Sequence, residues 1–144
     1  MDPEGTILLV EDNDDDVFFM RRALKTADIQ NPLQVAQDGQ AAIEYINGAG
    51  SFADRSQFPF PCLVLLDLKL PRKTGLEVLA AIQGRKKCPT LIIVVLTTSR
   101  ESADIDQAYQ LGANAYLVKP TSPTELAQMM TALRNFWIAY NIVE

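Results

Sequence analysis

Five short apolar runs alternate along the chain with segments whose apolar residues recur at helical spacing. The runs are typical of buried strands and lie at residues 6–10, 33–36, 63–66, 91–96 and 115–118. The run at 91–96 is continuous and rich in β-branched residues, which indicates a strand covered on both faces. This alternation predicts an α/β domain with a doubly wound, five-stranded parallel sheet and five helices.

The segments between the runs give the expected helix limits. Asp14 is the expected N-cap of the first helix, which runs to about residue 28, and Phe18 falls outside that helix's buried stripe. The segment 48–61 contains glycine, proline and three phenylalanines, so we expect a surface connection with aromatic anchors. The other helices are expected at 40–47, from Thr74-Gly75 onward, at 102–111 before Gly112, and after the N-cap Ser122.

Composition narrows the class of protein. We expect one domain over residues 1–144, with no output domain, because 144 residues form a single core. The net charge of −5 argues against nucleic-acid binding, which needs basic surface. The aliphatic run at 91–96 is far shorter than the ~20 residues that span a bilayer. Two cysteines make no metal cluster or disulfide framework, so we expect a cytoplasmic protein without membrane contact.

The chain contains no histidine, and this limits its chemistry. A Ser-His-Asp or Cys-His nucleophile is excluded, and so is a histidine-ligated zinc. Any reaction must use carboxylates, hydroxyls, lysine and a hard cation.

Polar residues follow four of the predicted strands at the points where they end. Glu11-Asp12, Asp67, Thr97 and Lys119 follow strands 1, 3, 4 and 5. Parallel strands end at one edge of the sheet, so these side chains are expected to form one site. Clustered carboxylates repel one another unless a cation is present, and oxygen ligands suit Mg²⁺ or Mn²⁺. Asp67 is then a candidate nucleophile toward a phosphoryl group, with Thr97 and Lys119 stabilising the developing charge.

These motifs resemble the response-regulator receiver domains of two-component signalling. The resemblance covers essentially the whole chain and implies a CheY-like sheet of order 2-1-3-4-5. By this resemblance, the protein accepts a phosphoryl group from a sensor histidine kinase and signals by a conformational change. The implied residues are Glu11 and Asp12 as metal-binding acids, Asp67 as phosphoacceptor, the Lys69 carbonyl as a further metal ligand, Thr97 as the hydroxyl residue, Lys119-Pro120 as a cis pair and Tyr116 as the rotating switch.

A narrower resemblance is to the stand-alone receivers that serve bacterial phytochrome kinases. The opening Glu-Asp-Asn-Asp-Asp-Asp-Val, the insertion before strand 3 and Leu-Asp-Leu-Lys-Leu-Pro-Arg-Lys support it. Lys69 and Ser99 flank the approach of an attacking water without orienting it, so we expect slow self-hydrolysis. Apolar residues left over in the last helix predict a homodimer through helix 4, strand 5 and helix 5. These residues are Phe136, Ile138, Ile142 and Val143.

Several alternatives remain at this point. A calcium loop beginning at Asp12 lacks the required glycine where Val17 stands, and a haloacid-dehalogenase-type phosphatase lacks its second aspartate where Lys69 stands. A receiver-like module that acts without phosphorylation fits the same residues. Tyr116 as a plain core aromatic and a Cys62–Cys88 disulfide are also open.

Overall fold

The computed structural model describes residues 4–84 and 91–140, with side chains through residue 137. Its strands are β1 (Ile7–Val10), β2 (Leu33–Ala36), β3 (Leu63–Leu66), β4 (Ile92–Thr97) and β5 (Ala115–Val118). All neighbouring pairs are parallel, and the sheet order is β2-β1-β3-β4-β5. The predicted fold class and strand order are therefore confirmed.

The helices are α1 (Asp14–Thr26), α2 (Gly39–Asn47), α3 (Gly75–Gln83), α4 (Ser102–Gln110) and α5 (Pro123–Leu133). A π-helical segment, Arg134–Tyr140, follows α5, and a short 3₁₀ turn, Gly50–Phe52, follows α2. Helices α1 and α5 pack together on one face of the sheet, while α2, α3 and α4 cover the other. Strands β1 and β3 are buried throughout, which explains their uninterrupted apolar sequences.

Side-chain caps define where the helices begin. Asn13, rather than the predicted Asp14, caps α1, because its side-chain oxygen accepts a hydrogen bond from the Asp16 amide. Asp14 is the first helical residue, where its negative charge faces the positive end of the helix. Ser122 caps α5 as predicted.

The connection between α2 and β3 is held by one arginine. The Arg55 guanidinium donates to the carbonyls of Tyr45 and Ile46 at the end of α2, each at 2.7 Å, and to that of Phe58 at 3.1 Å. These bonds satisfy carbonyls that the end of a helix leaves without partners. Two of the three predicted anchors pack on the core, whereas Phe60 is 37% exposed.

Two further expectations have different outcomes. The Lys119–Pro120 bond is trans, like every peptide bond in the described residues, so the implied cis pair is wrong. The two isomers of such a bond differ by only about 0.5–1 kcal/mol, so a Lys-Pro sequence alone does not select one. The Cys62–Cys88 disulfide and the side chains of Ile138, Ile142 and Val143 involve residues or side chains that the structure does not describe, so these stay predictions.

Gly75 allows α3 to begin directly against the segment that contains Asp67. Its amide donates to the Leu68 carbonyl at 2.9 Å. A Cβ atom at this position would lie 2.3 Å from the Asp67 carbonyl oxygen and 2.6 Å from the Leu68 Cα. Both neighbours are backbone atoms that cannot rotate away. The close approach of α3 to this end of β3 therefore requires glycine.

We expect Gly75→Ala to lower the free energy of unfolding by about 3 kcal/mol, because the added methyl forces the backbone around Asp67 to move. Chemical denaturation followed by circular dichroism measures this loss. Gly84→Ala is the matched control, since its Cβ would meet no atom of the described residues closer than 3.5 Å. Equal stabilities of the two variants would contradict the proposed constraint.

Candidate functional site

Three carboxylates come together at the edge of the sheet where the strands end. Glu11 and Asp12 follow β1, Asp67 follows β3, and one oxygen from each lies within 4.8 Å of the others. Glu11 and Asp67 are buried, at 4% and 9% exposure, whereas Asp12 is exposed. The predicted acids therefore form one cluster that opens to solvent on the Asp12 side.

The Lys119 ammonium lies among the acids. Its Nζ atom is 2.5 Å from Glu11 Oε1, 2.9 Å from Asp67 Oδ2 and 3.2 Å from Asp16 Oδ2. Lys119 follows β5, so its side chain reaches past the end of β4 to the acids of β1 and β3. Asp16, on α1, also belongs to this group, although it was not among the predicted site residues.

Burial and pairing act in opposite directions on these charges. Burial is the largest influence on Glu11 and raises its pKa above the ordinary value, despite the opposing hydrogen bond from Lys119. Burial lowers the pKa of Lys119, but its bonds to Glu11 and Asp67 outweigh that effect and hold the pKa above its usual range. The ammonium is therefore fully charged at neutral pH.

Backbone amides fix the other carboxylate oxygens. Glu11 Oε2 accepts hydrogen bonds from the amides of Asp12 and Asn13, at 3.1 and 3.3 Å. Asp67 Oδ1 accepts from the Lys69 amide at 3.2 Å. Each buried acid thus directs one oxygen to Lys119 and the other to the adjacent loop.

Thr97 supplies a hydroxyl without a partner inside the protein. The residue is fully buried, and its Oγ1 makes no hydrogen bond to the described residues. Its carbonyl accepts from the Lys119 amide at 2.8 Å, which joins the ends of β4 and β5. A buried hydroxyl without a partner is energetically costly, so its presence at this edge is consistent with a ligand group that completes it.

Tyr116 connects β5 to the loop after β4. Its hydroxyl donates to the Ser99 carbonyl at 3.0 Å, and its backbone amide donates to the Tyr109 hydroxyl oxygen at 3.1 Å. The Ser99 hydroxyl donates to Asp104 Oδ2 at 2.6 Å, and Ser99 Oγ accepts from the Glu101 amide. Tyr116 is partly buried and packs against the core on the face covered by α2, α3 and α4, so its role as a switch and its role as a plain core aromatic both stay open. No sequence periodicity indicates these bonds, since they depend on side-chain direction.

The donor set suits a hard divalent cation. All three clustered acids present oxygen ligands, and the exposed side of Asp12 leaves room for water. Lys119 shares Glu11 and Asp67 with such an ion, so binding requires the ammonium to adjust its position. The residues present fit Mg²⁺ or Mn²⁺, and the Lys69 carbonyl as a further ligand stays a prediction.

We expect Lys119→Met to lower the free energy of unfolding by about 2 kcal/mol at pH 7, because it leaves two buried carboxylates facing each other without a cation. The loss should shrink toward pH 5. The already raised pKa of Glu11 rises further in the variant, so the folded state gains a proton, and with it stability, as the pH falls.

Urea unfolding of wild type and variant at both pH values measures the difference. The control is the double variant Glu11→Gln with Lys119→Met, which keeps only the Asp67 charge, removes the repulsion between the two buried carboxylates and should recover part of the loss at pH 7. A loss of equal size at pH 5 and pH 7 would contradict this account.

Comparisons with known proteins agree with this arrangement. Residues 7–131 match the model of the response regulator receiver domain family. Response regulator Rcp1 of the cyanobacterium Synechocystis sp. is 38% identical over 136 residues, which cover 94% of this chain and 90% of Rcp1. Within the described residues, no helix has the length and apolar character needed to cross a membrane.

Solved structures show the same likeness. The phosphorylated cyanobacterial phytochrome response regulator RcpA superposes with a TM-score of 0.88 at 33% identity, covering 96% of this chain and 97% of RcpA. The Mn²⁺-bound form of Rcp1 gives 0.85 at 36% identity, covering 97% and 99%. The family match spans most of the chain, and the relatives align over nearly their whole length. The chain therefore belongs to the response regulator receiver domain family, whose members work in phosphorylation-based two-component signalling.

Proposed function

We propose that Asp67 accepts a phosphoryl group from a phosphohistidine on a sensor histidine kinase. One observation supports this most directly. Asp67 is a buried carboxylate at the end of β3, where it pairs with the Lys119 ammonium and belongs to the cluster of three acids. These 144 residues contain no histidine, so the donor histidine lies outside them. RcpA is named as a phytochrome response regulator, and this similarity favours a phytochrome-type kinase as that donor.

The transfer is a substitution at phosphorus. One carboxylate oxygen of Asp67 attacks, a phosphorus–oxygen bond forms, and the phosphorus–nitrogen bond to the donor imidazole breaks. The electron pair of that bond stays on the imidazole nitrogen, which takes a proton from solvent. The product is an acyl phosphate on Asp67 and a neutral histidine on the kinase. The protein contributes position and electrostatics to this reaction.

Lys119 and Thr97 supply the electrostatic part. The Lys119 ammonium, 2.9 Å from Asp67, is positioned to pair with a phosphoryl oxygen. The Thr97 hydroxyl is buried and has no hydrogen-bond partner among the described residues, so it is available to donate to another phosphoryl oxygen. Mg²⁺ held by Glu11, Asp12 and Asp67 would neutralise further phosphoryl charge when bound. Donors already held in place cost no reorganisation during the reaction.

The signal would pass through Tyr116. If Thr97 moves toward a phosphoryl oxygen, the backbone at the end of β4 moves with it. The Ser99 carbonyl that holds the Tyr116 hydroxyl lies two residues further along that chain. Phosphorylation would thus shift the balance between two positions of Tyr116 and alter the surface formed by α4, β5 and α5.

The same surface supports a homodimer. Strand β5 is an edge strand of the sheet. Near it in sequence, Tyr109 on α4 is 49% exposed, and Phe136 after α5 is 61% exposed. A sheet edge bordered by exposed aromatics is suited to pairing with a second copy. We propose that residues 1–144 act as one receiver unit in the cytoplasm and associate through this surface.

Incubation with acetyl phosphate and Mg²⁺ tests the chemistry, with intact mass as the measurement. We expect one added phosphoryl group that depends on the metal, is absent in Asp67→Asn and is retained in the control Asp106→Asn. The adduct should decay slowly, over minutes or longer, because the Ser99 hydroxyl is bound to Asp104 and Lys69 is exposed. Metal binding without any added mass would instead favour a module that acts unphosphorylated.

Analytical ultracentrifugation tests the association. We expect concentration-dependent dimers of wild type, strengthened by phosphorylation, and a shift to monomer in Phe136→Glu because a charge at a buried interface is costly. Phe18→Glu is the matched control, since Phe18 is 54% exposed on α1, a helix that is not part of the proposed surface. Monomeric wild type at high concentration, with and without phosphorylation, would refute the dimer.

A further inference from the structure

Asp16 holds a place in the site that the proposed chemistry leaves unexplained. Among the described residues, the carboxylates of Glu11, Asp16 and Asp67 pair with Lys119. Of these three, only Asp16 lies outside the three-acid cluster, and it is not the proposed phosphoacceptor. We propose that Asp16 is a positioning residue for Lys119. Asp16 remains a charged partner of the ammonium when Glu11 and Asp67 coordinate a divalent cation. This inference rests on the proposed function and extends it.

The number of donors makes such a partner necessary. An ammonium group has three N–H donors, and three carboxylates contact that of Lys119. Lys119 can therefore reach a phosphoryl oxygen only by giving up one of them. A cation bound by Glu11 and Asp67 competes with the ammonium for two of these three carboxylates and also repels it. Asp16 is the partner that this competition leaves in place.

The position of Asp16 suits the role. Its side chain is 45% exposed, against 5% for Glu11 and 11% for Asp67, so it lies at the rim of the site and the other two at the floor. Its amide is fixed by the Asn13 cap at 3.0 Å, and it belongs to the first turn of α1, where a carboxylate is favoured by the helix dipole. An ammonium moving outward from the floor therefore meets a fixed, charged acceptor.

The strength of the pair also fits a reversible contact. A half-exposed ion pair is weak, so Asp16 retains Lys119 nearby without preventing its movement to a phosphoryl group. Glu11 and Asp67 hold the ammonium in a more buried environment, where pairs are stronger. The ammonium is thus paired strongly with Glu11 and Asp67 at the floor of the site and weakly with Asp16 at its rim.

Isothermal titration calorimetry with Mn²⁺ tests the proposal on the whole chain. We expect Asp16→Asn to bind Mn²⁺ about threefold more weakly than the control Asp15→Asn, because Lys119 then competes harder for Glu11 and Asp67. Asp15 is exposed on the same turn and does not pair with Lys119, so its variant accounts for the loss of one negative charge. Asp16→Glu should restore affinity.

A double-mutant cycle identifies Lys119 as the intermediary. In a Lys119→Met background, Asp16→Asn should bind Mn²⁺ no more weakly than Asp15→Asn. Equal affinities of the two asparagine variants in the wild-type background, or a difference that persists without Lys119, would overturn the proposal. Because calorimetry needs no phosphoryl transfer, failure of Asp67 to gain phosphate would refute the proposed function and leave this result interpretable.

Discussion

The ion pairs of Lys119 bring together parts of the chain that are far apart in sequence. Glu11 and Lys119 are separated by 108 positions, and Asp67 lies between them. These contacts require β1, β3 and β5 to end at the same edge of the sheet. Because β4 lies between β3 and β5, the Lys119 side chain must also pass the end of β4 to reach the acids. The fold supplies this geometry through burial of apolar strands, and the ammonium offsets the cost of enclosing two carboxylates.

Much of this architecture could be predicted because strands and parallel edges follow simple rules. Apolar runs located all five strands, and the polar residues that end them located Glu11, Asp12, Asp67, Thr97 and Lys119 at one edge. The order of the strands came from the family resemblance, since periodicity does not specify which strands are neighbours. The alignment of strand ends in the structure explains why single residues after each run were informative.

What the sequence did not predict depends on where individual side chains point. Asp16 appears in the sequence as one of several acids at a helix start, and only its rotamer and the reach of Lys119 bring the two together. Asn13 and Asp14 are both good N-caps, and the choice between them depends on backbone geometry at one residue. Tyr45 was not singled out in the sequence, yet it is fully buried, and its hydroxyl donates to the Pro59 carbonyl.

The hydroxyl of Tyr109 blocks one backbone amide of the edge strand β5. An edge strand displays backbone amides that invite pairing with any extended chain, and proteins commonly block such strands to avoid aggregation. In β5 the Tyr116 amide is already bonded to the Tyr109 hydroxyl, so one potential site of strand addition is closed by a side chain from α4. Movement of α4 would expose this amide, which means that the chain's protection against unwanted β-pairing varies with the conformation of a single helix.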